Sequence, residues 1–168
     1  TPELMIVKGR DYSDSWQVYN KVSGATKFNT LQQYGDQTGS SRWNDTEPTS
    51  AVFTVGTDNG VNNSGYNYIA YLFASLDGIS KVGSYTGTGY AVNVDCGFTA
   101  GARFVLIKRI DGGINISADW YVYDSARGIV SGNDPYILLN SSAAQVTTTD
   151  YIDPLNAGFP VTSSAPAA

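Results

Sequence analysis

The 168 residues carry 15 acidic and 10 basic side chains, no His and a single Cys, for a net charge of −5. That inventory excludes a Ser-His or Cys-His nucleophilic pair, a His/Cys zinc site and an intrachain disulfide, and no basic run exceeds Lys108-Arg109, so nothing marks the chain for nucleic acid. Charged residues are only 15% of the chain, against roughly 25% in ordinary soluble domains. Gly, Ser, Thr, Asn and Tyr fill the difference, which is the composition of an all-β protein. Cys96, in Val94-Asp95-Cys96-Gly97-Phe98, reads as a small buried hydrophobe. No apolar run is long enough for a membrane helix, and the opening Thr1 suggests a piece of a longer chain.

Taken in order, residues 2–9 form a first strand, buried on both faces, and 11–15 its turn. Residues 16–19 form a second strand, ending at Ser23-Gly24, and 28–31 a short third. Residues 32–50 are polar and broken by Gly35, Gly39 and Pro48, a long loop with Trp43 as anchor. A strand at 51–55 runs into the turn-rich segment 56–65, followed by the strand 66–74 and a connector at 75–81. Strands at 83–87 and 91–98 flank the turn residues Thr88-Gly89. The run 102–109 reads as another strand buried on both faces. Trp120-Tyr121-Val122-Tyr123-Asp124 is an aromatic strand breaking at Ser125-Ala126-Arg127-Gly128. Strands at 136–140, 145–151 and 158–163 complete the chain, and the tail 164–168 lacks a pattern. No helix is expected.

A repeat organises this series. Lys8 matches Lys108 at an offset of 100; Trp16 matches Trp120 and Gly24 matches Gly128 at 104; Phe53 matches Phe159 and Val55 matches Val161 at 106. The offset grows only at loops. The expected fold is therefore an all-β antiparallel sandwich, jelly-roll-like, built from two related units. These are residues 1–74, which lack their opening strands, and 84–168, which lack their closing strand, joined by the connector 75–83. A sheet missing a strand has an open edge, filled by flanking sequence or by a neighbouring subunit.

The residues offer few sites. Glu3, Glu47, Asp119 and Asp124 are carboxylates a glycosidase could use, but no spacing singles out a pair, and an enzyme is not expected. Asp124 and Arg127 form a structural corner, the carboxylate holding turn amides. Asp58, in Thr57-Asp58-Asn59-Gly60, is a weak Ca²⁺ candidate in a loop that turns equally well without metal; no cofactor and no other metal site is expected. Tyr34, Trp43 and Tyr90 lie in or beside loops. They are either glycan contacts, stacking on a sugar's apolar face, or anchors folded back onto the core.

Ser84-Tyr85-Thr86-Gly87, Val94-Asp95-Cys96-Gly97-Phe98, the strand ending Ile107-Lys108-Arg109 and Trp120-Tyr121-Val122-Tyr123-Asp124-Ser125-Ala126-Arg127-Gly128 occur in an order that resembles a repeated β-rich domain of tailed-phage fibre and virion-surface proteins, including those of cyanophages. The similarity covers residues 84–162 and, more weakly, 2–74. The first unit departs from it in having Lys21-Val22-Ser23 at the corner, without the arginine, and Ala102 replaces a Pro before the buried strand. The resemblance implies a structural protein of the virion. Its expected partners are other virion proteins and further copies of itself, as a homotrimer or larger, with a host-surface glycan as a second partner.

Overall fold

The computed structural model describes residues 1–32, 35–111 and 118–165. It is an all-β protein of antiparallel sheets in a sandwich arrangement, with one turn of α-helix. The chain divides into two compact units, Thr1–Ser75 with Ile110–Ala118, and Leu76–Arg109 with Asp119–Ala168. The connector expected at 75–83 falls almost wholly in the second unit. Ile110, Asp111 and Ala118, expected there, group with the first.

The first unit contains strands β1 (Leu4–Gly9), β2 (Gln17–Asn20), β3 (Lys27–Thr30), β4 (Gln37–Thr38) and β5 (Tyr68–Phe73) in a single sheet of order β4-β3-β2-β1-β5. β1 is an interior strand, flanked by β2 and β5, which is why a six-residue run of Leu-Met-Ile-Val-Lys-Gly suits it: Met5, Ile6 and Val7 are all buried. Met5, Val7, Tyr19 and Phe28 face one core with Trp43 and Val61, and Phe53, Val55 and Tyr68 pack against them. The layer over the sheet is thus mostly irregular chain. Its one helical turn, α1 (Asn59–Asn62), was not expected from sequence; the Asp58 side chain caps it by accepting from Gly60 N at 2.8 Å.

The second unit contains β6 (Val92–Asp95), β7 (Phe104–Lys108), β8 (Trp120–Asp124), β9 (Ile137–Leu138) and β10 (Gly158–Val161). A three-stranded sheet β7-β8-β9 and the pair β10-β6 enclose a core of Val105, Tyr123, Tyr136, Ile152 and Phe159, with Val94, Ile107, Tyr121, Leu138 and Val161 packed on it. Those side chains come from both sheets, as in a sandwich.

The two hairpins share a register. Leu4, Met5, Ile6 and Val7 pair with Asn20, Tyr19, Val18 and Gln17; Phe104, Val105, Leu106 and Ile107 pair with Asp124, Tyr123, Val122 and Tyr121. Each pair in the second unit lies 100 and 104 residues beyond its counterpart, the offsets read from the sequence. The core positions correspond as well: Met5 and Val7 with Val105 and Ile107, Tyr19 with Tyr123, and Phe53 and Val55 with Phe159 and Val161.

Four expectations need correction. Residues 51–55 form no strand, because among the described residues the first unit has no counterpart of β6 to pair them, whereas Phe159 and Val161 are paired by Val94 and Val92. Residues 83–87 form no strand either; this Gly- and Thr-rich stretch has no ladder to join. Residues 145–151 contribute only a bridge between Val146 and Tyr136. Finally, β7 is not buried on both faces: it is an edge strand, and its Phe104 is 61% exposed.

Candidate functional site

The corners of the two hairpins fix which way each strand presents its backbone. Asn20 Oδ1 accepts from Ser23 N at 2.9 Å and Asp124 Oδ1 from Arg127 N at 2.9 Å, so an Asx turn leads into a glycine in each case. Gly24 and Gly128 both have positive φ, +77° and +123°, which is why this position is glycine in both copies. Just outside the turns, Lys21 N donates to Glu3 O and Ser125 N to Arg103 O, both at 2.9 Å. Antiparallel strands alternate the direction of their backbone groups. Leu4 and Ile6 of β1, and Phe104 and Leu106 of β7, therefore point their N–H and C=O groups away from the hairpin partner.

In the first unit that outward edge is covered. Leu4 and Ile6 pair with Phe73 and Tyr71 of β5. In the second unit β7 ends its sheet, and no described strand lies beyond it. This uncovered edge is the clearest candidate for a binding surface.

β5 is the other unusual feature. Ile69, Tyr71, Leu72 and Phe73 are 38–49% exposed, and no charged residue occurs from Tyr66 through Leu76. The strand also terminates its sheet. It carries neither proline nor charge, the usual protections of a free edge. Tyr71 stacks on Trp16, with ring centroids 6.3 Å apart at 23°. Tyr68 is held by its hydroxyl, which meets Tyr12 Oη at 2.9 Å and accepts from Asn63 N at 2.7 Å. Burial raises the Tyr12 phenol above its ordinary pKa, and its bond to Tyr68 adds to the rise; the bonded hydroxyls clamp the start of β5.

The sequence-predicted residues separate. Trp43 is fully buried in the first core, so it is an anchor and offers no ring to a sugar. Tyr90 is 79% exposed, beside Gly89 at φ +77°, with its amide bonded to Thr88 Oγ1 at 3.2 Å. Tyr34 lies outside the described residues. Asp58 is occupied twice over, by the cap of α1 and by Arg42 Nη1 at 3.3 Å from its Oδ2, which argues against a calcium ligand; among the described residues no three carboxylates, His or Cys gather to hold a metal ion. Asp124 and Arg127 form the expected corner, the guanidinium bonded to the carboxylate whose other oxygen holds the turn amides. Those amide bonds first, then the guanidinium charge, depress the Asp124 pKa.

Every carboxylate weighed as a glycosidase residue has structural work. Glu3 bonds Lys21 Nζ and Ser75, which hold its carboxyl down at about 2. Glu47 accepts from the Tyr19 hydroxyl and from Ala25 N at 2.7 Å, and Asp119 accepts from Asn140 Nδ2 at 2.8 Å. Burial, and then the charge of Asp95, push the Cys96 thiol up, away from nucleophile chemistry.

One carboxylate, Asp134, went unnoticed in the sequence, and the structural role of Glu47 was not foreseen. Glu47 and Asp134 each accept a backbone N–H just past a corner glycine, Ala25 N in one unit and Val130 N, at 2.9 Å, in the other. Asp134 is fully buried and its Oδ2 has no partner; desolvation raises its pKa to about 6, and the nearby Asp153 and Asp150 contribute. Only the Asp-Pro dipeptide, a turn signal, marked its position.

Neither the curated proteins nor the solved structures contain a match to this chain. The family described as a domain of unknown function, DUF7483, matches residues 1–168, the whole of the chain, and the protein belongs to that family.

Proposed function

We propose that the protein is a non-enzymatic structural component of a tailed-phage particle, a fibre or virion-surface β repeat that assembles through its sheet edges with copies of itself and with other virion proteins. On this reading it is made in the host cytoplasm, resides in the virion, binds no nucleic acid and does not insert into a membrane. The virion assignment rests on the sequence resemblance. What supports assembly is the asymmetry between the units: the same hairpin has its outer edge covered by β5 in one and uncovered in the other. An uncovered antiparallel edge is a template for pairing, and closed homo-oligomers are the usual outcome when copies of one chain use it. The mass of the protein in solution, measured by light scattering across a hundredfold concentration range, tests this reading. A trimer or larger assembly is expected; a monomer throughout would overturn it.

A second reading, a lectin-like module for host-envelope sugars, is favoured by one observation, the exposure of the Tyr90 ring on a turn. Binding on a glycan array that is lost in Tyr90→Ala would establish it, and an array with no signal would remove it.

A further inference from the structure

We infer that the outer edge of β7 is a strand-acceptor site, whose ligand is an extended, uncharged segment of alternating aromatic and aliphatic residues, entering antiparallel and closing on an acidic side chain. The inference deepens the assembly reading and rests on it for its biological setting, while the site itself is argued from geometry.

The first unit supplies the template. Its β1 edge receives Tyr-Ile-Ala-Tyr-Leu-Phe of β5, with Phe73 opposite Leu4 and Tyr71 opposite Ile6. The β7 edge has the same backbone parity, because Ser125 N donates to Arg103 O as Lys21 N does to Glu3 O. Its side chains are of the same kind, Phe-Val-Leu-Ile-Lys against Leu-Met-Ile-Val-Lys. A strand of β5 chemistry would place an aromatic residue opposite Phe104 and another opposite Leu106. Main-chain bonds supply affinity in such strand addition, and side-chain pockets supply choice.

The two edges differ at one end, and the difference specifies the ligand. Glu3 accepts from both the amide and the hydroxyl of Ser75, just beyond the end of β5. The residue equivalent to Glu3 in the second unit is Arg103, which is exposed. A guanidinium cannot accept those bonds, but it pairs with a carboxylate. The ligand therefore carries Asp or Glu where β5 is followed by Ser75.

The test uses the full chain and a fluorescent synthetic peptide of residues 66–75 in which the final serine is aspartate (Ser75→Asp), compared with the same peptide ending in lysine (Ser75→Lys). The aspartate peptide is expected to bind about tenfold more tightly than the lysine peptide, a gain that Arg103→Glu reverses. Leu106→Pro removes an outward N–H from an edge strand, where proline is tolerated, and is expected to weaken the aspartate peptide at least about tenfold. Hydrogen exchange locates the site: the amides of Phe104 and Leu106 gain protection on binding while those of β1 do not change. Binding unaffected by Leu106→Pro, an absence of binding, or slow exchange at Phe104 and Leu106 in the free monomer would each overturn the inference. An oligomer that persists in Leu106→Pro refutes this site but leaves assembly standing. A monomeric protein that still binds the peptide at β7 retains the site and loses the assembly reading.

Discussion

β1 and β7 begin from nearly the same local sequence and end in different environments. Both pair with an aromatic strand in one register, and both turn alternate side chains into a core. Yet Ile6 is 9% exposed on an interior strand of a five-stranded sheet, while Phe104 at the edge of a three-stranded one is 61% exposed. The difference teaches that a strand's burial belongs to its neighbours as much as to its own composition. An apolar run that would be safe in the centre of a sheet becomes a binding surface once its outer neighbour is missing.

Substitutions at matched positions separate what the hairpins share from what they do not. The largest effect is expected in the packed core that fills the first unit: Trp43→Ala removes a fully buried indole and should cost about 3–5 kcal/mol in a urea titration. Tyr90→Ala, its exposed counterpart among the loop aromatics, should stay within about 0.5 kcal/mol. Close behind comes the edge comparison. Ile6→Lys places a charge at a buried position of an interior strand and should cost on the order of 4 kcal/mol, against about 1 kcal/mol or less for Leu106→Lys, which is half-buried at an edge. Equal costs would mean that β7 is covered in solution.

The corners should respond alike. Gly24→Ala and Gly128→Ala each force a Cβ into positive φ, at about 1–2 kcal/mol. Gly24→Ala carries an extra burden, since the new Cβ would sit 3.1 Å from Glu47 Oε1, the atom that holds Ala25 N. A larger loss for Gly24→Ala in thermal denaturation is the expected order.

The smallest effects are on pH dependence, and the two units should show opposite signs. Glu3 has its pKa lowered to about 2 by the Lys21 hydrogen bond first and by Ser75 next. Its contribution is present above the ordinary glutamate pKa and is lost as pH falls from there through about 2. Asp134 runs the other way. With a folded pKa raised to about 6, it binds its proton more tightly in the native state, so stability is greatest below the ordinary aspartate pKa and declines as pH rises through about 6. Asp134→Asn should remove that decline and leave the protein more stable at pH 7 by on the order of 1 kcal/mol, since Asn can still accept from Val130 N. Glu3→Gln should remove only the acid limb. Unfolding free energies at pH 3, 5 and 7 check both.

Much of this could be read from the chain. The offsets between the Lys, Trp and Gly positions located both hairpins and their registers, because a hairpin is a local structure whose pairing follows from turn chemistry and alternation. The corner at Asp124 and Arg127 was legible for the same reason, since the bonds of an Asx turn span three residues. Residues 51–55 show where such reading fails. They have the apolar pattern of a strand and pack like their counterparts on the core, but a ladder needs a partner, and the described residues of their unit supply none. Trp43 shows it again: a loop aromatic surrounded by polar residues could have pointed either way, and its packing with Tyr19, Phe28 and Val61 in the core decided.

The amino-acid sequence by itself determined the class of fold, the duplication, the hairpin register and the turn glycines, all consequences of steric and hydrogen-bonding rules that act over a few residues. Tertiary structure alone decided which hairpin edge is covered, that β5 lies against β1 from about 60 to 70 residues away, and that Asp134 is buried with an unpartnered oxygen. Those outcomes depend on contacts between distant segments, where the entropy of closing a long loop is set against the burial gained, and no local pattern records the result.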